Sequence, residues 1–428
     1  MSKESFKSII TEAKKGDTDC QYLIAECYYY GSDVKINYKK AVKWYAKAAE
    51  LGHVDAQYDL AACYMNGKGV KKNYANAIEW LLKASKQGHV NAPLALDDCY
   101  ESGLGRKHKS VKTFEKYLKA AECGNVKAQY EVGNCYYNRL GVARDYNKAV
   151  KWFDKAAEQG NVAAQNALGD CYWYGCGVYQ DRSKAYEYYS MAADKGFAKG
   201  LYNLGACYYL GEGVAQDYSM TVKLYTKAAK KGLPEAQCDL GVCYSNGQGV
   251  KQSYRKAVRW YQKAAKNGNA PAQRNMGLAY YNGRVVKMNY SKAFEWFLKS
   301  AKQGNAMAQC NVGNCFADGE GVTQNSYKAK EWYKRAADQG NPGGMCNLGY
   351  CYEMGEGVEQ DYAKAVEWYQ KSADLGDAQA QHNLGNCYRN GRGVAKDYNK
   401  AVEWFTKAAQ QGHENAKKKL AELRSRGN

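Results

Sequence analysis

The apolar positions of this chain repeat every 36 residues, starting at Cys20, Ala56, Ala92, Ala128, Ala164, Gly200, Ala236, Ala272, Ala308, Gly344 and Ala380. Eleven copies fill residues 20–415 with no insertion or deletion. A specimen is AQHNLGNCYRNGRGVAKDYNKAVEWFTKAAQQGHEN, from Ala380 to Asn415. Offsets below are counted from each starting residue. Small or apolar residues at offsets 0, +4, +7, +8 and +11 share one helical face. In the last copy these are Ala380, Leu384, Cys387, Tyr388 and Gly391. A second helical pattern follows, as in Ala365, Trp368, Tyr369, Ser372 and Ala373. Two short helices cannot bury their faces alone, so the period predicts an all-α solenoid of eleven helix-turn-helix repeats.

Punctuation supports these boundaries. The segment joining the two helices is GxGV, as in Gly67-Lys68-Gly69-Val70. Its first glycine ends the helix in a left-handed conformation, and its valine is expected to tuck into the core. An oxygen-bearing residue then caps the second helix: Asn37, Asn73, Asp145, Asp181, Asp217, Ser253, Asn289, Asn325, Asp361 and Asp397, with only Lys109 failing. A glycine closes every copy, from Gly52 to Gly412. Pro93, Pro234, Pro271 and Pro342 all fall at junctions, where a first helical turn accepts them. The glycines at +5, such as Gly133, Gly277, Gly313 and Gly385, each cost about 1 kcal/mol of helix propensity. Close backbone approach of a neighbouring helix is the expected compensation. Residues 1–19 read as a capping second helix and 416–428 as a final, polar first helix.

The pattern AxxxLGxCYxxGxGVxxDxxKAxxWxxKAAxxG resembles the Sel-1-like repeat, a relative of the tetratricopeptide repeat. The resemblance covers residues 20–415. Departures are Arg139 and Val285 in place of loop glycines, and Lys116 and Leu224 in place of the usual aromatic. The third copy diverges most, with Asp97, Arg106 and Lys109. The resemblance implies a right-handed α/α superhelical solenoid used as an adaptor or assembly platform, with the first helices lining a concave groove. Some bacterial members with paired cysteines have been linked to β-lactam binding, so a β-lactam-binding or hydrolysing repeat protein is one alternative function.

Composition narrows the remainder. The chain has 428 residues, with 40 Tyr, 43 Gly, 16 Cys and only 4 Pro. No stretch reaches signal-peptide or membrane-span length in apolar residues, so the expectation is a cytoplasmic monomer, with signal-less export still open. A reducing compartment suits free thiols. Cysteine recurs at +7 in ten copies, including Cys99 and excepting Ala279. Equivalent helices of adjacent repeats lie about 8–10 Å apart, whereas disulfide Cα atoms need about 7 Å or less. The ladder is therefore read as unbridged core, and one thiol per repeat cannot gather a zinc ion. His53, His89, His108, His382 and His413 form no HExxH, and no GxSxG occurs. No catalytic residue, metal or cofactor is expected.

Two surfaces remain. Lysine or arginine at +20 and +27, for example Lys256 with Lys263 and Lys400 with Lys407, shares one face of the second helix within a formal charge of +19. Such stripes would suit nucleic acid or an anionic surface, the principal alternative function. The first helix carries asparagines at +3, +6 and +10. Asn203, Asn275, Asn311, Asn347 and Asn383 stand at +3, and Asn134, Asn314 and Asn386 at +6, with Asp98 and Asp170. An amide ladder can hydrogen-bond the backbone of an extended peptide or bridge neighbouring repeats. Tyr137, Trp173, Tyr209 and Tyr281 at +9 would add hot spots. Tyr350, Leu278, Val242, Arg274 and His382 break the repeat pattern and are candidates for specificity. The expected function is a scaffold that binds a protein or peptide along these positions.

Overall fold

The computed structural model describes residues 3–426 except 33, 90, 93–94 and 97–108. Pro93, Asp97, Asp98, Cys99, Arg106 and His108 lie outside the described residues. Twenty-three helices and no strand occur among the described residues, so the chain is an all-α solenoid. It forms two compact halves, residues 1–231 and 232–428.

The first half opens with helix Lys3–Lys14. The helix pairs Thr18–Tyr30 with Tyr38–Glu50 and Val54–Asn66 with Tyr74–Lys86 follow. After the single helix Lys109–Glu122 come Val126–Asn138 with Tyr146–Glu158, Val162–Tyr174 with Arg182–Asp194, and Ala198–Leu210 with Tyr218–Lys230. The second half pairs Pro234–Asn246 with Tyr254–Lys266, Ala270–Tyr281 with Tyr290–Lys302, and Ala306–Asp318 with Ser326–Asp338. It continues with Pro342–Met354 and Tyr362–Asp374, then Ala378–Asn390 and Tyr398–Gln410, and ends with Glu414–Arg426.

Second-helix caps form as the pattern predicts. The side chains of Asn37, Asn73, Asp145, Asp181, Asp217, Ser253, Asn289, Asn325, Asp361 and Asp397 each accept a backbone N–H of the first turn. First-helix caps were not anticipated. They stand three residues before each starting residue, at Asp17, Asn125, Asn161, Asn269, Asn305, Asn341 and Asp377. Nδ1 of His53, His89 and His413 accepts in the same way from Ala56, Ala92 and Ala416. That gives three of the five histidines a structural task. Pro234, Pro271 and Pro342 lie in first turns.

Two expectations about glycine need correction. Gly391 is exposed, not on the core face, because its φ of 71° ends the helix there. The glycines at +5 meet neighbouring backbone only at greater distance, a Cβ on Gly133 or Gly349 standing 3.2 Å from the carbonyl oxygen of Ala149 or Ala365. They admit an aromatic ring from the second helix of the same repeat: a Cβ on Gly313 would stand 2.5 Å from Tyr333, and one on Gly277 2.4 Å from Phe297. Burial of that ring offsets the lost propensity. The second loop glycine meets backbone instead, since a Cβ on Gly321 would lie 2.2 Å from the Tyr290 carbonyl oxygen. The loops at Gly69, Gly177, Gly213, Gly321, Gly357 and Gly393 thus dock on the start of the preceding repeat's second helix. Val70, Val178 and Val358 follow them into the preceding core.

A buried glutamine at +1 also joins repeats. Nε2 of Gln57, Gln129, Gln273, Gln309 and Gln381 donates to the carbonyl eight residues back, for instance Gln309 to Ala301 at 3.3 Å. The Oε1 of each accepts from a second glutamine thirty residues on, as from Gln339 to Gln309 at 2.7 Å. Where Leu51 or Lys195 stands at that second place, Oε1 of Gln21 or Gln165 has no partner among the described residues. The recurrent Ala-Gln pair was the legible signal for this lattice.

The described ladder cysteines are free and buried. Desolvation pushes their thiols up, Cys63 and Cys171 to about 12 and Cys243 and Cys351 to about 11. They are small apolar core residues, protonated and unreactive at neutral pH.

Candidate functional site

The basic stripes are built into the fold. At +27 eight cations lie over the tryptophan three residues earlier, as Lys47 over Trp44 at 4.5 Å, Lys263 over Trp260 at 4.6 Å and Lys407 over Trp404 at 4.1 Å; Lys119 and Lys227 follow Lys116 and Leu224 instead. At +20 each lies over the +8 aromatic of the first helix, as Lys256 over Tyr244 at 5.1 Å and Lys400 over Tyr388 at 5.2 Å. These contacts tie the two helices of a repeat together. One second helix, Tyr254–Lys266, carries five cations and no carboxylate. A shallow hollow of about 520 Å³ there is lined by Tyr244, Lys256, Arg259, Trp260, Gln262, Lys263 and Lys266.

The first-helix asparagines at +3 and +6 are all half-buried, and the +3 column bridges repeats. Asn203 Nδ2 donates to Asn166 Oδ1 and to Asp170 Oδ1, both at 3.1 Å. Asn347 Nδ2 donates to Asn314 Oδ1 at 3.0 Å and approaches Cys310 Sγ at 3.6 Å. Asn383 Nδ2 lies 3.8 Å from Cys346 Sγ, and Asn311 Oδ1 accepts from Arg274 Nε at 3.2 Å. Asn386 Nδ2 is 3.4 Å from His382 Nε2, and Asn134 Oδ1 is 3.5 Å from Asn138 Nδ2. Asn275 shares their face.

The +9 aromatics pack within their own repeats. Tyr137, Tyr209 and Tyr281 stand edge-on to Tyr146, Tyr218 and Tyr290 at 5.1–5.3 Å between ring centres. The Arg182 guanidinium covers Trp173 at 4.0 Å. The hydroxyl of Tyr137 meets Cys176, and that of Tyr281 meets Glu320, each in the next repeat.

A cleft forms on this face, between the first helices Ala306–Asp318 and Pro342–Met354. It encloses about 600 Å³ and is lined by Asn314, Ala317, Asp318, Gln324, Ser326, Ala329, Tyr333, Asn347, Tyr350, Cys351 and Glu356. It brings together Asn314 and Asn347 from the amide ladder with the non-repeating Tyr350, whose ring is 45% exposed. Asp318 and Glu356 were missed by the sequence reading, although Asp318 breaks an asparagine-rich column.

In the first half the same columns hold acids. Tyr22 donates its hydroxyl to Asp59 Oδ2 at 2.9 Å and to Glu26 Oε1 at 3.2 Å. Burial, then the charges of Glu26 and Asp55, hold the Asp59 carboxyl up at about 7, against the lowering from Tyr22. A raised carboxyl favours folding while protonated. Stability is therefore full below pH 4 and is lost as pH rises toward 7. Asn occupies this offset in five other repeats and keeps the acceptor for Tyr22. Asp59→Asn should stabilise the fold at pH 8 by about 1–2 kcal/mol after allowing for partial solvation, raising the melting temperature there, and change little at pH 4. Thermal melts across pH would show it, and an equal shift at both pH values would exclude this cause.

Among the described residues no three His, Cys, Asp or Glu side chains converge as metal ligands, and no helix is long and apolar enough to cross a membrane.

No curated protein matches the chain. Among solved structures it is similar to c5321, a protective antigen present in uropathogenic Escherichia coli strains that displays an SLR fold. That likeness has 34% identity over 98% of this chain and 92% of that one, with a TM-score of 0.59. It is also similar to a Sel1 repeat protein from Oxalobacter formigenes, at 31% identity over 74% of this chain and 94% of that one, with a TM-score of 0.50. The Sel1 repeat model matches residues 18–53, 54–89, 94–125, 126–161, 162–197, 198–233, 234–269, 270–305, 306–341, 342–377 and 378–413. Ten of the eleven matched copies begin two residues before the small residue of their period, where the first helices begin; the third begins two residues after Ala92, and the chain belongs to the Sel1 repeat family.

Proposed function

We propose that this protein is an interaction scaffold that holds an extended segment of a partner protein against the first-helix face. The observation that carries this reading is the cleft of about 600 Å³ on the asparagine face. Its walls are set by buried packing and by hydrogen bonds between repeats, so a ligand meets a preformed surface and little ordering cost falls on the scaffold. Family membership supports the same reading, because stacked repeats characteristically offer extended binding surfaces.

Replacing the +3 asparagines would disturb the bridges between repeats, so a test must use an exposed cleft residue. A photo-crosslinking amino acid at Tyr350 should trap a protein partner, and capture should survive nuclease and moderate salt. In a pull-down by the chain without the crosslinker, Tyr350→Asp should abolish capture of that partner. A second reading rests on the carboxylate-free helix Tyr254–Lys266 and its hollow, which would hold a polyanion. Capture that ignores Tyr350→Asp but disappears with nuclease or moderate salt would favour that reading and reject the cleft.

A further inference from the structure

We infer that the cleft between Asn314 and Asn347 selects an extended peptide that carries a lysine or arginine side chain, the peptide unit bound by the two amides and the cation by Asp318 and Glu356. This deepens the scaffold reading and rests on it.

The amides come first. Asn314 Oδ1 accepts from Tyr333 at 2.8 Å and from Asn347 at 3.0 Å, which occupies both of its lone pairs. The Asn314 amide is thereby fixed, and its Nδ2 makes no hydrogen bond among the described residues. Asn347 uses its Nδ2 on Asn314 and Cys310, which leaves its Oδ1 as a free acceptor. One donor and one acceptor on adjacent repeats face the same cleft. A backbone peptide unit presents the complementary acceptor and donor. Where both functions are already spent within the protein, as on Asn383, no such offer exists.

The charges follow. Asp318 and Glu356 are exposed at the cleft, and neither is paired with a cation among the described residues. Glu320 lies near enough to add to the burial that raises the Asp318 carboxyl, and Glu320 Oε2 is buried without a partner. The fold does not require these acids. In this half the Glu320 and Glu356 offset holds Gln248, Arg284 and Arg392 elsewhere, and the Asp318 offset holds Asn246, Asn282, Met354 and Asn390. A chain of formal charge +19 repels cations at long range. The local carboxylates therefore act at contact, where a guanidinium or ammonium displaces water and gains charge-assisted hydrogen bonds. The exposed Tyr350 ring adds a flat face on which a guanidinium can stack.

The test uses the full chain and fluorescence anisotropy with four labelled hexapeptide pools. Each pool has a randomised uncharged background and one fixed central residue: arginine, lysine, glutamine or glutamate. The arginine and lysine pools should bind at least about tenfold more tightly than the glutamate pool. Asp318→Asn combined with Glu356→Gln is isosteric and exposed, and thermal melts should be unchanged. That variant should bring the arginine pool to the level of the glutamine pool. Equal binding of all pools by the unaltered chain, no binding of any pool, or a cation preference that survives the double substitution would each overturn the inference. Crosslinking from Tyr350 separates the two readings. A trapped partner with no cation preference in the pools removes the charge selection and leaves the scaffold intact. No trapped partner removes both.

Discussion

Gly321→Ala should destabilise the second half by about 3–4 kcal/mol. The new Cβ would stand 2.2 Å from the Tyr290 carbonyl oxygen and 2.4 Å from its carbon, and backbone cannot turn aside as a side chain can. Its φ of 77° adds about 1–2 kcal/mol of left-handed strain, and overpacking adds about 1–3 kcal/mol. Val285 shows how the protein lives with a side chain at this offset. It keeps φ at 69°, and the preceding helix, Ala270–Tyr281, is one residue shorter than the other first helices. Val285→Gly should therefore stabilise, by about 1 kcal/mol net of the greater freedom of glycine in the unfolded chain. Urea unfolding measures both, and hydrogen exchange should place the Gly321→Ala loosening at helices Tyr290–Lys302 and Ala306–Asp318. A global shift without that localisation would mean the loop is not the docking element.

Gln309→Ala should cost about 2–3 kcal/mol. Nε2 of Gln309 satisfies the Ala301 carbonyl and its Oε1 holds Gln339, all in a site where Gln309 is 6% exposed. Truncation leaves a buried carbonyl without its side-chain donor and opens a cavity. The same offsets carry Leu201 with Lys231 and Met345 with Leu375 elsewhere in the chain. Met345 with Leu375 shows that a wholly apolar pair is accepted at these places, whereas Lys231 keeps a polar group beside Leu201. Gln309→Met with Gln339→Leu should recover most of the loss, which a double-mutant cycle would read as strong coupling. Additive effects would mean that the two glutamines do not act as a pair.

Much of this architecture is legible because a repeat prints each constraint eleven times. Helix limits, second-helix caps and the buried thiols follow from spacing alone. What spacing hides is the identity of the partner across a contact. The +5 glycines announce close approach but not whether a ring or a backbone arrives. The Ala-Gln pair announces a fixed polar residue but not the carbonyl eight residues back. The lysine stripes look like a binding surface until the tryptophans and tyrosines beneath them are seen. The cleft shows the converse. Asn314 and Asn347 were visible as members of a ladder, and Tyr350 as an exception to it. Asp318 and Glu356 gained meaning only when the neighbouring repeat brought them beside those amides.

The loop contacts also give assembly a direction. Six second helices, from the one starting at Tyr38 to the one starting at Tyr362, have their starts covered by a loop that lies later in the chain, so such a repeat, synthesised from the N-terminus, stays unlatched until its successor has emerged. Domains form in that order on the ribosome, and each new loop would then latch the repeat made just before it.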